Sequence, residues 1–134
     1  MNLELEKKNS FKQQFKKRCF DFSINCINLG EILRSERKNW PLVDQLIRSS
    51  TSIGANIVEG GNSTSRKEFI NYFQIALKSA SETLYWLALL KEINPKQAEK
   101  VNNLIKECTE LKKLISTIII NTKNNSKFYR NSEL

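Results

Sequence analysis

The sequence offers little of the side-chain chemistry that enzymes use. It contains no histidine among its 134 residues, so proton transfer would fall to Glu, Asp, Lys, Cys or Tyr. The Glu-x-x-His pairs of diiron helical bundles are therefore missing, and no GxxxxGK[ST] phosphate-binding loop occurs. The loop GGNSTS at residues 60–65 precedes a helix pattern and could hold a phosphate, but an ordinary helix connection explains it better. We predict a protein that is not an enzyme and that holds no metal or cofactor.

The three cysteines do not form a metal-binding or redox motif. No CxxC pair is present, which argues against a zinc site. Cys19 and Cys26 fall on an apolar helical stripe, where a thiol packs as a small hydrophobic group. An odd cysteine count, with no secretory segment in the polar residues 1–10, predicts reduced thiols in the cytoplasm. No apolar run approaches the length of about 18 residues that suggests a membrane span.

Positive charge is the feature that most strongly suggests a partner. The net charge is +8 at pH 7. It lies in residues 1–40 and 93–134, whereas residues 41–92 carry five basic and five acidic side chains. A basic surface attracts polyanions such as RNA or DNA. The alternative is a basic protein whose lysines serve only solubility.

The candidate nucleic-acid contacts lie on the first and last predicted helices and in the C-terminal tail. Aromatic side chains in that tail, Phe128 and Tyr129, would add base stacking. Phosphate contacts should make the affinity fall steeply with salt. The basic candidates are Lys12, Lys16, Lys17, Arg34, Lys106, Lys112, Lys113, Lys123, Lys127 and Arg130.

Four helices with short connections must position these residues. Apolar spacings of three and four predict helices over residues 11–37, 41–59, 66–92 and 95–122. Ser10, Ser65 and Asn94 are expected to cap the first, third and fourth helices, and Gly60-Gly61 to end the second in a left-handed C-cap. We predict an all-α, antiparallel up-down four-helix bundle over residues 11–122. Residues 1–10 and 123–134 are expected to be flexible.

Several helices carry more apolar surface than one core requires. The first helix has a second stripe roughly opposite its core stripe, and the third is apolar on much of its circumference. Tolerated exposure of single apolar residues is the alternative. We interpret the extra surface as an oligomer or partner interface formed by Phe20, Ile24, Ile27, Ile75, Trp86, Leu89 and Ile119.

The stretch SIGANIVEGG at residues 52–61 places polar side chains at the end of the second helix. Asn56 and Glu59 border its core stripe, so both should be hydrogen-bonded or lie at the rim. We expect them to hold loop amides at the turn into the third helix; a ligand contact is the alternative. Asp44 and Arg48 are expected to form an i,i+4 ion pair.

The region from residue 48 to residue 92 resembles the bacterial four helix bundle protein family, whose members are encoded in intervening sequences of large-subunit ribosomal RNA genes. A related branch is the accessory variability determinant of diversity-generating retroelements. The second-helix match comprises Arg48, Ser52, Ile53, Ala55, Asn56, Ile57, Glu59 and Gly60. The third-helix match comprises Lys67, Glu68, Phe69, Phe73, Ile75, Ala76, Ser79 and Glu82. The sequence departs from the family pattern at Gly54, Ser63 and Lys78.

The resemblance implies a homopentameric ring without enzymatic activity. In the retroelement branch, the basic ring binds a reverse transcriptase and template RNA. We therefore expect a ring-forming adaptor that binds nucleic acid and a reverse transcriptase. The alternative is a structural oligomer of the ribosomal RNA-associated type, with a protein partner or an unknown role.

Overall fold

The computed structural model describes residues 2–125 and contains four long α-helices over that range. Their bounds are α1 Leu3–Leu33, α2 Trp40–Gly61, α3 Arg66–Ile93 and α4 Ala98–Asn124. Short 3₁₀ turns at Arg37–Asn39 and Pro95–Gln97 join α1 to α2 and α3 to α4. Connections this short place consecutive helices antiparallel. The predicted all-α four-helix bundle is confirmed, and its assembly into a ring stays a prediction.

The core is one continuous apolar cluster to which all four helices contribute. The predicted stripe of α1, from Phe15 to Leu33, is buried with at most 4% of any side chain exposed. Spacings of three and four keep such a stripe on one side of a helix. In α3 the core also includes the small residues Ala76, Ser79 and Ala80, which let neighbouring helices approach closely.

The first helix begins earlier than predicted, at Leu3 instead of residue 11. The side chain of Asn2 accepts a hydrogen bond of 2.8 Å from the backbone N–H of Leu5, which satisfies one free amide of the first turn. Glu4 and Glu6 favour the same start because negative side chains in the first turn interact favourably with the positive end of the helix dipole. Ser10 lies inside the helix, and residues 3–10, expected to be flexible, are helical.

The predicted glycine cap of α2 is wrong. Gly60 and Gly61 are both helical, and no described residue has a positive φ. Gly60 is required for a different reason, since a Cβ there would lie 2.8 Å from the ring of Phe73 and 3.1 Å from Tyr72. The missing side chain lets α2 and α3 approach closely at this corner.

The fourth helix is longer at its end than the sequence suggests. It reaches Asn124, so Lys123 lies in its last turn instead of in a tail. The core stripe steps by four from Ile115 to Ile119, and Ile119 is only 5% exposed. Its assignment to an oligomer interface is therefore wrong, and the side chain that reaches the surface here is Ile120, which is 56% exposed.

Candidate nucleic-acid interface

One end of the bundle carries nearly all the net charge of the described residues. This basic end comprises the start of α1, the α2–α3 connection and the end of α4 (residues 2–18, 57–74 and 111–125). It holds eleven Lys and Arg against four Asp and Glu. The opposite, closed end (residues 25–48 and 82–100) holds seven against six. Because potentials add over a surface, the basic end has a more positive potential than the closed end.

The fold brings together most of the basic residues that the sequence singled out. Arg34 is an exception, because it lies at the closed end, where its guanidinium contacts the carboxylate of Asp44 at 2.6 Å. Lys106 lies in the middle of α4, and Lys127 and Arg130 lie outside the described residues. The candidates that share the basic end are Lys12, Lys16, Lys17, Lys112, Lys113 and Lys123.

Two ion pairs lie at or beside the basic end, and they differ in function. Lys17 contacts Asp21 at 2.7 Å, four residues along an exposed face of α1, where such pairs contribute little. Arg18 instead donates two hydrogen bonds to Glu107, at 2.6 and 3.1 Å, and hydrogen bonding to this carboxylate raises the pKa of Arg18. This bidentate pair joins α1 to α4. Arg18 is thus a structural residue within the basic end.

A cavity of about 470 Å³ opens at the basic end between α1, the α2–α3 corner and α4. Its apolar lining comes from all four helices, and its rim on α1 carries four lysines at positions 7, 8, 12 and 16. The remaining wall is polar and comes from the end of α4. The apolar lining residues are Phe11, Phe15, Ile57, Phe69, Phe73 and Ile118.

Lys12 is the rim lysine whose protonation is most altered by its surroundings. Burial lowers its pKa from 10.5 to about 8, and the charge of Lys16 contributes in the same direction. A bound anion would oppose both effects, because an opposite charge favours the protonated amine.

The polar wall of the cavity consists of Asn121, Thr122 and Asn125. The hydroxyl of Thr122 donates to the carbonyl of Ile118 at 2.7 Å, so it is engaged within the helix. Asn121 and Asn125 are exposed and present amide groups that both donate and accept hydrogen bonds.

Sequence reasoning missed this cavity, although the sequence contains a signal. In the segment KKNSFKQQFKK at residues 7–17, two phenylalanines four residues apart are each followed by a lysine. Aromatic and basic side chains interleaved in this way are typical of single-stranded nucleic-acid sites.

The proposed oligomer residues separate into two groups. Phe20 and Ile24 on α1 are 66% and 41% exposed, and Val58 on the neighbouring α2 is 47% exposed; Ile27 is half-buried. The two helices are close here, because a Cβ at Gly54 would lie 3.4 Å from that of Cys19. Phe20, Ile24, Ile27 and Val58 are called the α1–α2 patch.

The candidate residues of α3 are less available for an interface. Ile75 is 39% exposed, whereas Trp86 and Leu89 are half-buried. The indole N–H of Trp86 donates to the carboxylate of Glu82 at 3.1 Å. Part of the apolar surface seen in the sequence of α3 is therefore used within the bundle.

The family-signature residues form a polar ladder between α2 and α3. Arg48 pairs with Glu82, so the predicted pair of Asp44 with Arg48 is wrong. Ser52 and Ser79 are 2.9 Å apart at their hydroxyl oxygens, and the Asn56 amide donates to the Ser52 carbonyl and hydroxyl at 2.8 and 3.0 Å. These contacts fix the register of two closely packed helices.

The expectation that Asn56 and Glu59 hold loop amides is wrong. Asn56 bonds within its own helix, and the exposed carboxylate of Glu59 has no hydrogen-bond partner among the described residues. The loop is held by the backbone instead, since Ser63 N–H donates to Gly60 carbonyl at 3.0 Å. The polar residues of this stretch therefore serve the helix seam.

The cysteine thiols lie in the core and show no sign of activation. Burial raises the pKa of Cys19, Cys26 and Cys108 to about 12, so they are protonated at neutral pH. Within residues 2–125, no cluster of three or more His, Cys, Asp or Glu could hold a metal. None of the helices described is long and apolar enough to cross a membrane.

Comparison with known proteins identifies relatives of this chain. Residues 11–117 match the model of a family described as 23S rRNA-intervening sequence protein. The chain is also similar to a protein of unknown function from the S23 ribosomal protein family of Bacteroides thetaiotaomicron, whose crystal structure is known. The two share 40% sequence identity and a TM-score of 0.74, over 78% of this chain and 97% of that one. No curated protein matches.

Proposed function

Since the chain belongs to the 23S rRNA-intervening sequence protein family, we propose that it is a non-catalytic, basic adaptor that binds nucleic acid. The observation that carries the proposal is the unequal charge of the two ends. The basic end holds eleven basic residues against four acidic ones, whereas the closed end is nearly neutral. Scattered lysines that served only solubility would have no reason to collect at one end.

The side chains of the basic end are better suited to contacts with a nucleic-acid backbone than to catalysis. Lys113 and Lys123 are exposed on α4, and flexible ammonium groups bind phosphate as point charges. Each phosphate that is neutralised releases condensed counterions, which gives binding a strong salt dependence. The buried, protonated thiols provide no nucleophile for a reaction.

The adaptor is proposed to act as a homo-oligomeric ring. The α1–α2 patch of Phe20, Ile24, Ile27 and Val58 supports this part of the proposal, because exposed apolar side chains on two adjacent helices favour association. A ring would place several basic ends side by side and so multiply weak phosphate contacts. A reverse transcriptase is the proposed protein partner.

The first experiment measures RNA and DNA binding by fluorescence anisotropy from low to high salt. We expect affinity to fall linearly on a log–log plot. Replacing Lys112 and Lys113 with Gln should reduce the slope by about 1.4 for a single strand, at about 0.7 per lost phosphate contact. The matched control replaces Lys96 and Lys100, at the closed end, and should leave the slope unchanged. Absence of binding at low salt would refute the proposal.

The second experiment tests the ring. Light scattering of the wild-type chain should give a mass several times 15.6 kDa. Replacing Phe20 and Ile24 with Glu should dissociate the oligomer, whereas Tyr85→Glu, at a 60% exposed aromatic residue of α3, should not. A wild-type monomer would exclude the ring.

A structural oligomer that binds only protein is the second candidate function, because the same apolar patch would serve it. Pull-down at increasing salt distinguishes the two. Recovery of a reverse transcriptase with bound RNA supports the adaptor. Recovery of one protein partner, insensitive to salt and without nucleic acid, supports the structural oligomer.

A further inference from the structure

The lining of the cavity at the basic end combines aromatic, basic and amide side chains. Phe11 and Phe15 lie with nearly parallel rings, 6.3 Å between centroids and 6° between planes. The rings of Phe69 and Phe73 stack at 4.2 Å. Both aromatic pairs line the cavity, and aromatic rings pack against other rings through their faces or edges.

The rim lysines follow a regular line along α1. Lys8, Lys12 and Lys16 are four residues apart, so successive positions rise by about 6 Å on one side of the helix. They border the cavity together with Lys7, and the only acidic lining residue described is Glu4. A row of this kind matches a linear polyanion better than a single anionic group.

The polar wall on α4 decides between the ligands that an apolar, basic cavity would accept. A fatty acid or another aliphatic anion needs no hydrogen-bonding groups beside its chain. Asn121 and Asn125 provide amides four residues apart along the wall, and such amides pair with the donor and acceptor edges of nucleobases. The volume of about 470 Å³ falls in the usual range of ligand sites, about 300–1,000 Å³.

We propose that this cavity takes an unpaired nucleobase of a single-stranded nucleic acid, with the flanking phosphates on the row Lys8, Lys12 and Lys16; single-stranded RNA is the probe used below. The inference rests on the proposed function and specifies the form of the nucleic acid. A base in a duplex is stacked and paired and cannot enter the cavity. The protein should therefore prefer single strands, loops or ends to blunt duplexes.

The test compares a single-stranded RNA 12-mer with a blunt duplex of the same sequence, using the full chain and fluorescence anisotropy. We expect tighter binding of the single strand. Phe11→Ala should weaken it at least fivefold, about the smallest effect of losing a stacking ring, and should leave duplex binding unchanged. Phe11 is 49% exposed, so the fold should tolerate the change, as circular dichroism will confirm. Tyr85→Ala, at a 60% exposed aromatic residue of α3 outside the cavity and the α1–α2 patch, is the matched control and should have no effect.

A second variant tests the cavity without removing a ring. Ile118 is a half-buried lining residue, and Ile118→Trp should fill part of the space and lower single-strand affinity. A 2-aminopurine placed in the RNA should change its fluorescence on binding to the wild-type protein and not to Phe11→Ala. A result in which both variants bind the single strand as well as the wild type overturns the cavity site but leaves the proposed function intact.

Two further outcomes are decisive. If Phe128→Ala with Tyr129→Ala abolishes the preference for single strands while Phe11→Ala keeps it, the stacking groups lie outside the cavity and the inference is wrong. If the wild-type chain binds neither RNA at low salt, the proposed function fails, and the cavity site fails with it.

Discussion

At the closed end of the bundle, the side chains of Asn39 and Asn94 exchange two hydrogen bonds of 2.9 Å. Asn39 also donates to the carbonyl of Leu33, and Asn94 to that of Leu90, each at 2.9 Å. At the basic end, by contrast, the same four helices leave a cavity of about 470 Å³. One end is joined by a satisfied polar network and the other is open.

The charges of the two ends differ in the same direction. Basic residues at the closed end have acidic neighbours, as in the pairs of Arg34 with Asp44 and Lys38 with Glu36. At the basic end, Lys112, Lys113 and Lys123 are the charged residues of the last part of α4, and no acid occurs between residues 111 and 125. Structural charge is paired locally at the closed end, whereas the surplus charge beside the cavity is the basis of the proposed nucleic-acid contact. The predictions below test this contrast.

The largest expected effect is on stability at the closed end. Asn39→Ala should lower the free energy of unfolding by about 2–4 kcal/mol, because buried groups of Leu33 and Asn94 would lose their partner at about 1–3 kcal/mol each. Asn121→Ala, an exposed amide at the basic end, should change it by less than about 0.5 kcal/mol. Urea denaturation measures both. Equal effects would mean that the closed end is not more strongly held.

The next prediction concerns the packing of the α2–α3 corner at the basic end. Gly60→Ala should destabilise by about 1–3 kcal/mol, because its methyl group would meet the buried ring of Phe73. Gly54→Ala is the matched control within α2. Its Cβ would lie at an ordinary 3.4 Å from that of Cys19, so better helix propensity should stabilise by up to about 1 kcal/mol. Thermal denaturation that shows Gly60→Ala to be neutral would extend the loose region from the cavity to the α2–α3 corner.

A smaller effect is expected when single charges near the two ends of α1 are replaced. Lys16→Gln should reduce the salt slope of RNA binding by about 0.7, the contribution of one phosphate contact. Arg34→Gln should leave it unchanged, because Arg34 lies at the closed end in its pair with Asp44. Anisotropy titrations at several salt concentrations measure both. A reduction by Arg34→Gln alone would reverse the assignment of the interface.

The last prediction concerns pH, and its effect should be the smallest because Lys12 is only partly buried and solvent screens its charge. The pKa of Lys12 is about 8 in the folded chain against an ordinary 10.5, so between these values the unfolded state binds more protons. Stability should therefore rise with pH from about 8 to 10.5. Lys12→Met should remove this rise and be more stable than wild type at pH 7. Charged groups lining the same cavity are Glu4, Lys7, Lys8 and Lys16, so the comparison is between variant and wild-type curves. Parallel curves would contradict the burial of Lys12.

The sequence predicted the helices better than their ends. Apolar spacing located the cores of all four helices, because a side chain that recurs every three or four residues has only one face to occupy. The Ser65 cap is confirmed, since its hydroxyl accepts from Glu68 N–H at 3.1 Å. The caps expected at Ser10, Gly60-Gly61 and Asn94 are wrong. An earlier cap at Asn2 and close packing against Phe73 prevail over local preference at the first two. The Asn94 side chain makes no cap hydrogen bond and bonds to Asn39 and Leu90 instead.

The site was harder to predict than the fold for a physical reason. Lys12 and Lys16 could be proposed from charge alone, but so could Arg34, and nothing in the sequence states that Asp44 lies beside it. Phe11 and Phe15 were interpretable as core residues of one helix. Whether they line one cavity with Phe69 and Asn121 depends on how far α1 extends and where α4 ends.

By itself, the sequence determined a basic chain of four amphipathic helices, with no histidine and a family-specific seam between the second and third helices. These properties follow from composition and from periodicity along the chain. Only the tertiary structure decided which charges are paired and which collect at one end, that Ile119 is in the core, and that a cavity lies between α1 and α4. Those properties depend on distances between residues far apart in sequence, which helix packing sets and local patterns do not contain.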